Sequence, residues 1–484
     1  MTLWYKHLPV GVKYLNAIQL FSTVGFGVLL GTLNLYLQRR GMPIREVNTL
    51  TASFFALNFL LHFLGGSLGG SWISYRALFC FSLLLQIAGL GAIAVPHLPI
   101  ILVGMGLFVT GSGLNVSCIN MMLTQLFEAK DMKRRTAFSL NYAYMNVSFV
   151  MAFVVANIFQ ARNNYAAIFI FAAICLVIAM LLHGFAWRHV PDRATWYAKR
   201  TAHQARRFVL APVVVVICLG VILYLMHHPD TASTLIYVAF ALGFIAVAYS
   251  AIRHTGRAGR LMWVFILLIA STMVYAFVQG LASTAVQNFV NYNTNQSFLG
   301  IHIEPAGFQV FESIGVTIFG LLLATWLRQR RAKKLPAFPA EVMIARSLGF
   351  NVIAFLMLPL GIWVATLAGH EKSLLTFPVL QSIFVAAAEV GVNTIAYSLA
   401  GELVPTRLQG LFTGYLFLNI AFGTNLAGPF SNVILGQYQH LTTVAASQTN
   451  PAYLRMFLLL AAIALGITLV YWAIQRPIAR LRKP

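Results

Sequence analysis

An all-α membrane protein that crosses the bilayer many times is the fold class this sequence predicts. Of its 484 residues, 59% are hydrophobic and only 9% are charged, far from the make-up of a soluble globular domain. Apolar runs of about 18 residues or more recur along the chain, and each can cross a hydrocarbon core about 30 Å thick. The short alternating segments that would build a transmembrane barrel are missing.

Fourteen such runs follow in order. The first, 14–37, is too long for a signal-peptide core and lacks a small-residue cleavage site, so it reads as a helix. It has no charge between Lys13 and Arg39, and Gln19 and Asn34 are its main polar groups. Run 49–70 carries a lone histidine, His62, which reads first as a packing residue. Runs 77–96 and 99–122 follow, the latter with a polar stripe at Asn115, Ser117 and Asn120. Run 137–160 opens on FSLNYAYMNVSF, and run 165–187 completes a first set of six. The polar segment 188–207 then precedes two runs, 208–226 and 233–251, whose few polar residues suit packing beside a bundle rather than lining a path. The last six are 261–284, 306–327, 342–367, 376–401, 408–432 and 453–474.

The net charge of +22 invites a nucleic-acid reading, which its distribution rejects. KDMKRR (130–135), the 188–207 segment, RHTGRAGR (253–260), RQRRAKK (328–334) and the tail RPIARLRKP all fall on one side when the runs are threaded alternately. Lys/Arg bias of this kind sets orientation, and it places both termini in the cytoplasm. Three parts are expected: a six-helix bundle in 1–187, a linker and extra helix pair in 188–260 (the pair itself 208–251), and a second six-helix bundle with a basic tail in 261–484. Six plus six around a midplane site is the plan of major facilitator transporters.

Charged side chains at the bilayer centre cost about 2.5–3.5 kcal/mol each on insertion scales, so those present deserve a role. Glu389 lies near the middle of the twelfth run and shares a helical face with Asn393. Glu312 lies a turn or two inside its own run, where it can serve a site or simply reach water. Asn146 shares a face with Tyr142 and is placed either to line a cavity or to clasp a neighbouring helix. There is no phosphate-binding GxxxxGK[ST], no HExxH and no soluble Ser/His/Asp grouping. The four cysteines (Cys80, Cys118, Cys175, Cys218) sit in apolar runs without metal-ligand spacing. Neither enzyme nor metal or cofactor protein is indicated. The expected partners are a small-molecule substrate, protons and surrounding lipid, acting on a monomer.

Longer stretches carry a resemblance. GSGLNVSCINMMLTQLFEAKDMKRRTAFSLNYAYMNVSF (111–149) resembles the fourth helix, loop and fifth helix of the proton-dependent oligopeptide transporters. ALNFLLHFLGGSLGGSWISYR (56–76) resembles their second helix and its loop. MVYAFVQGLAS (273–283), AAAEVGVNTIAYSLAGELVP (386–405) and LFTGYLFLNIAFGTNLAG (411–428) resemble helices seven, ten and eleven. The resemblance implies alternating access, and it places Asn146 and Glu389 where the family holds a peptide's amino group. Glu312 or Ser313 stands near a third position of that pocket. Phe59, Tyr275 and Tyr415 match its aromatic lining, and Gln279 joins them as a substrate contact. Glu389 and Glu312 are the candidates for proton coupling.

The other half of the family's site is absent. Where the family has ExxERFxYY, this chain reads QLFSTVGFG, with Gln19, Ser22 and Thr23 at the three charged positions. Val116 stands for the helix-four lysine, Val278 for the helix-seven acid and Gly70 for the loop aspartate. Losing the set together is coherent, because removing only some would leave unpaired ions in hydrocarbon. The expectation is a secondary-active carrier of a small peptide-like or amine-bearing solute. Open beside it stand a carrier of a siderophore or other metabolite, a proton-independent facilitator, and a receptor that does not transport.

Overall fold

The computed structural model describes residues 8–128, 133–191, 195, 201–335, 338–438 and 440–482. Lys130 of the KDMKRR cluster and most of 192–200 therefore lie outside the described residues. Each expected run coincides with a helix. These are α1 (Val10–Arg39), α2 (Ile44–Leu68), α3 (Tyr75–Ile93), α4 (Leu98–Gln125), α5 (Lys133–Gln160), α6 (Tyr165–Ala186), α7 (Ala202–His227) and α8 (Pro229–Arg253). They continue as α9 (Arg257–Asn293), α10 (Val310–Ala332), α11 (Ala340–Leu367), α12 (Thr376–Leu403), α13 (Gln409–Leu435) and α14 (Ala446–Arg482).

Among the described residues, thirteen helices are long and apolar enough to cross a membrane. The remaining one, α13, is 27 residues long but carries Asn419, Thr424 and Asn425 along its middle. Most helices outrun their apolar stretches, α14 by the most, because hydropathy reads only the part in hydrocarbon while helical bonding continues into water. The chain is an integral membrane protein.

Two helices are interrupted beside hydroxyl side chains that take local hydrogen bonds. In α1 the break is at Thr23, whose hydroxyl accepts from the Gln19 amide at 2.8 Å. Two of the positions stripped of charge thus satisfy each other. In α9 the break falls at Ser283 and Thr284, and both hydroxyls donate to the carbonyl of Gly280, at 3.0 and 2.9 Å. Such local bonding keeps polar groups paired where no water is at hand.

The helices sort into two compact units, Met1–Arg40 with Leu57–Ala232, and Gly41–Ala56 with Ser233–Pro484. In the first unit, α3 packs most closely on α4, α1 on α6 and α5, and α7 on α4. The Tyr36 hydroxyl donates to the Ile93 carbonyl at 2.8 Å, and Asn58 donates to Ser112 at 2.7 Å. Gly89 lets α3 and α4 touch, since a Cβ there would lie 2.6 Å from the Phe108 nitrogen and 2.7 Å from the Gly104 carbonyl. Gly91, two residues on, faces open space. Gly89→Leu is expected to destabilise the unit by about 1–3 kcal/mol, as overpacking does. Gly91→Leu should leave the melting temperature of the purified protein where it was.

The second unit is built from α9 with α13, α11 with α14, and α12 against α10, α11 and α9. Phe289, Phe308, Phe355, Tyr453 and Phe457 form its densest apolar core. Two small strand pairs cap it: β1 (Thr294–Asn295) lies parallel to β4 (Ser373–Leu374), and β2 (Ser297–Phe298) pairs antiparallel with β3 (Ile301–His302). The helix pair 208–251 is divided, with α7 packing in the first unit and the body of α8 in the second. There Phe240 of α8 stacks on Phe422 of α13 at 4.2 Å between ring centroids.

A ladder of neutral polar side chains joins residues 41–56 to the rest of this second unit. Asn48 donates to Asn432 at 3.1 Å, and Asn432 donates to Thr49 and to the Arg45 carbonyl at 2.9 and 3.0 Å. Asn288 donates to Asn48 at 3.4 Å, and Ser53 bonds Asn425 at 3.1 Å and Ser233 at 3.2 Å. Asn48, Ser53, Asn288 and Asn425 are fully buried.

Candidate functional site

Three helices of the second unit bring two carboxyl groups to one amide. Gly315 of α10 meets Ala386 of α12 so closely that a Cβ on the glycine would lie 2.8 Å from the Ala386 Cβ. Glu312 stands one turn before Gly315, and Glu389 one turn after Ala386, so the close approach sets the acids on adjoining faces. Glu312 is in the first turn of α10, where the helix dipole favours a negative group. Glu389 lies halfway along the 28 residues of α12.

Gln279 of α9 lies between them. Its Nε2 donates to Glu312 Oε1 and reaches Glu389 Oε2 at 3.4 Å. Asn393, one turn on from Glu389, donates to Oε1 at 3.3 Å, and the Tyr275 hydroxyl also bonds Glu389. Tyr275 and Gln279 are one turn apart on α9, so one helical face supplies both contacts. Glu312 and Glu389 are partly buried, and neither is sealed within its unit.

The ion pairs among the described residues lie elsewhere. Arg482 holds Glu341 at 2.8 Å and Glu402 at 3.6 Å, and His302 holds Glu304 at 3.0 Å. The carboxyl cluster therefore contains acceptors, neutral donors and no partner cation from the described residues. No group of three or more His, Cys, Asp or Glu among those residues could hold a metal ion. Chemically the cluster can accept a cationic amine, or share a proton between two acids that repel when both are charged.

The structure thus gathers Glu312, Glu389, Asn393, Gln279 and Tyr275 into one constellation. Tyr415 is not part of it. It is 4% exposed and packs on Phe240 and Phe244 of α8, at 5.8 and 6.3 Å between centroids. In the first unit, Asn146 donates to the carbonyl of Tyr142 at 2.9 Å, while Tyr142 itself is 43% exposed. Phe59 packs edge-on against His62 at 5.5 Å. The bridging geometry of Gln279 had no sequence signal, because it depends on which faces of α9, α10 and α12 meet. The Asn48, Asn288 and Asn432 ladder was missed, although three amides in apolar surroundings were visible.

Comparison with known proteins gives a consistent result. Residues 75–450 match the family model described as the POT family. The dipeptide and tripeptide permease A of Klebsiella pneumoniae (strain 342) is 26% identical over 433 residues, which is 88% of this chain and 84% of that protein. A POT family transporter solved in complex with 5-aminolevulinic acid has a TM-score of 0.82 at 17% identity, covering 97% of both chains. Tetrameric PepTSo2 also has a TM-score of 0.82 at 17% identity, over 97% of this chain and 98% of that one. With a matching model over most of its length and the same arrangement of membrane helices, the chain belongs to the POT family of the major facilitator superfamily.

Proposed function

We propose that this protein is a secondary-active transporter that moves a small peptide-like or amine-bearing solute by alternating access across the bacterial inner membrane. The observation that carries the reading is the pair of carboxyls on one amide, with no partner cation among the described residues. Glu389, fixed by Asn393, Tyr275 and Gln279, is the acceptor for the solute's ammonium group. Glu312 is its proton-exchanging neighbour. Burial of an unpaired acid is costly, and an arriving cation removes that cost, which makes the cluster selective for positive charge. Asn146, Tyr142 and Phe59 are proposed as further solute contacts on the family resemblance. Tyr415 supports α13 from behind.

The permease names of the relatives support a peptide-like solute. The neutral residues Gln19, Ser22, Thr23 and Val116 point to weak recognition of a solute carboxylate, since the basic partners of that end are missing. Both termini are assigned to the cytoplasm on the Lys/Arg distribution. The single chain is taken as the transporting unit.

Competition for uptake into proteoliposomes tests this. A dipeptide amide, with its carboxylate blocked, is expected to compete about as well as the free dipeptide. An N-acetyl dipeptide should compete poorly. Equal competition by the N-acetyl compound would remove the amine from the recognition, and the role of Glu389 with it.

A further inference from the structure

The second unit contains a cleft that the carboxyl cluster does not use. Within that unit α9 packs closely on α13, and α11 on α14, while the two pairs meet only sparsely. The space between them is about 400 Å³. Phe277, Val278, Phe355, Leu426, Phe430 and Ala464 are among its walls, and Asn351 is its one polar lining residue. Its deep wall is well covered, with Phe355 and Leu460 each 2% exposed. Its rim is open: Val433 is 82% and Ile463 41% exposed.

Three of the four helices, α9, α11 and α14, are long and apolar enough to cross the membrane, and α13 packs along α9, so the medium assigned to that rim is hydrocarbon. The rim residues continue into other exposed apolar side chains of α14, such as Leu459 and Val470. An empty apolar cavity forfeits dispersion contacts on every wall. At about 30 Å³ per small group, the share of one water in the liquid, the cleft has room for roughly a dozen methylenes. That matches the length of an acyl chain better than a compact solute.

We infer that the cleft between the α9–α13 pair and the α11–α14 pair is a binding site for one acyl chain of a membrane phospholipid. The chain enters beside Val433 and runs along Phe430 and Phe277 toward Asn351. It lies against the side of α9 that carries Phe277, about half a turn from the face that presents Tyr275 and Gln279, with Val278 between the two. A filled cleft therefore props the helix that bridges the two carboxyls.

The test uses the full chain in phosphatidylcholine vesicles doped with a phospholipid that carries a photoreactive diazirine midway along one acyl chain. After illumination, adducts are mapped by mass spectrometry. Adducts are expected to concentrate on Phe277, Phe430 and their neighbours in the cleft, above the level on Leu459 and Val470 outside it. Ala464→Trp, which fills the cleft, should lose most of the cleft adducts and keep the outside ones. In detergent, added phospholipid should raise the melting temperature of the unaltered protein more than that of the filled variant. Should Ala464→Trp not fold, Val278→Phe fills the same space from α9. Adducts spread evenly over cleft and outer surface, with no change on filling, would overturn the assignment.

Discussion

Glu389→Gln is expected to weaken binding of an amine-bearing solute by about thirtyfold or more, the result of removing one partner of a desolvated charge pair worth roughly 2–5 kcal/mol. Glutamine keeps the shape of the side chain and an oxygen to accept from Asn393, which donates to Glu389 at 3.3 Å. The fold should therefore survive, and the melting temperature should change little. The measurement is binding and counterflow by purified protein in proteoliposomes. Unchanged counterflow in the variant would mean that the ammonium group is held elsewhere.

Glu312→Gln separates coupling from binding. The Gln279 amide that spans the two acids can still donate to the new side chain, and Glu389 remains available to the solute. What disappears is the second acid, and with it the ability of the pair to hold one proton between two sites. Exchange of labelled for unlabelled solute should persist. Accumulation driven by an inward proton gradient should fall to equal concentrations on both sides. If the variant still concentrates solute, the proton is carried by another group, and the pair is only a cation trap.

Much of this fold could be read in the sequence because hydrocarbon imposes one simple demand, about twenty apolar residues per crossing. The same demand says little about the polar groups inside a run. In α13, Asn419, Thr424 and Asn425 dilute the apolar signal, yet Asn419 bonds back to its own helix and Asn425 joins Ser53 and Ser233. Glu389 and Glu312 stood out as acids in the wrong solvent, so the chemistry of the site was partly legible. Their convergence on Gln279 was not, since periodicity assigns a face to each helix without saying which faces meet. Tyr415 shows a limit of another kind: an aromatic residue reads the same in sequence whether it meets a solute or packs on rings such as Phe240 and Phe244. The breaks at Thr23 and Ser283 were equally silent, because a serine or threonine that bonds locally within its helix leaves hydropathy almost unchanged.

The amide ladder that ties residues 41–56 into the second unit has a consequence for the conditions the transporter meets. On the proposed orientation it lies at the outer ends of its helices, toward a medium whose acidity and salt content the cell does not control. Asn48, Asn288, Asn425 and Asn432 neither titrate nor draw counterions, so Debye screening has no purchase on them. A latch of ion pairs would loosen in brine and change with acid. These amide bonds answer to heat and to denaturant instead, so the packing of residues 41–56 against α9 and α13 is expected to hold across changes of salt and acidity.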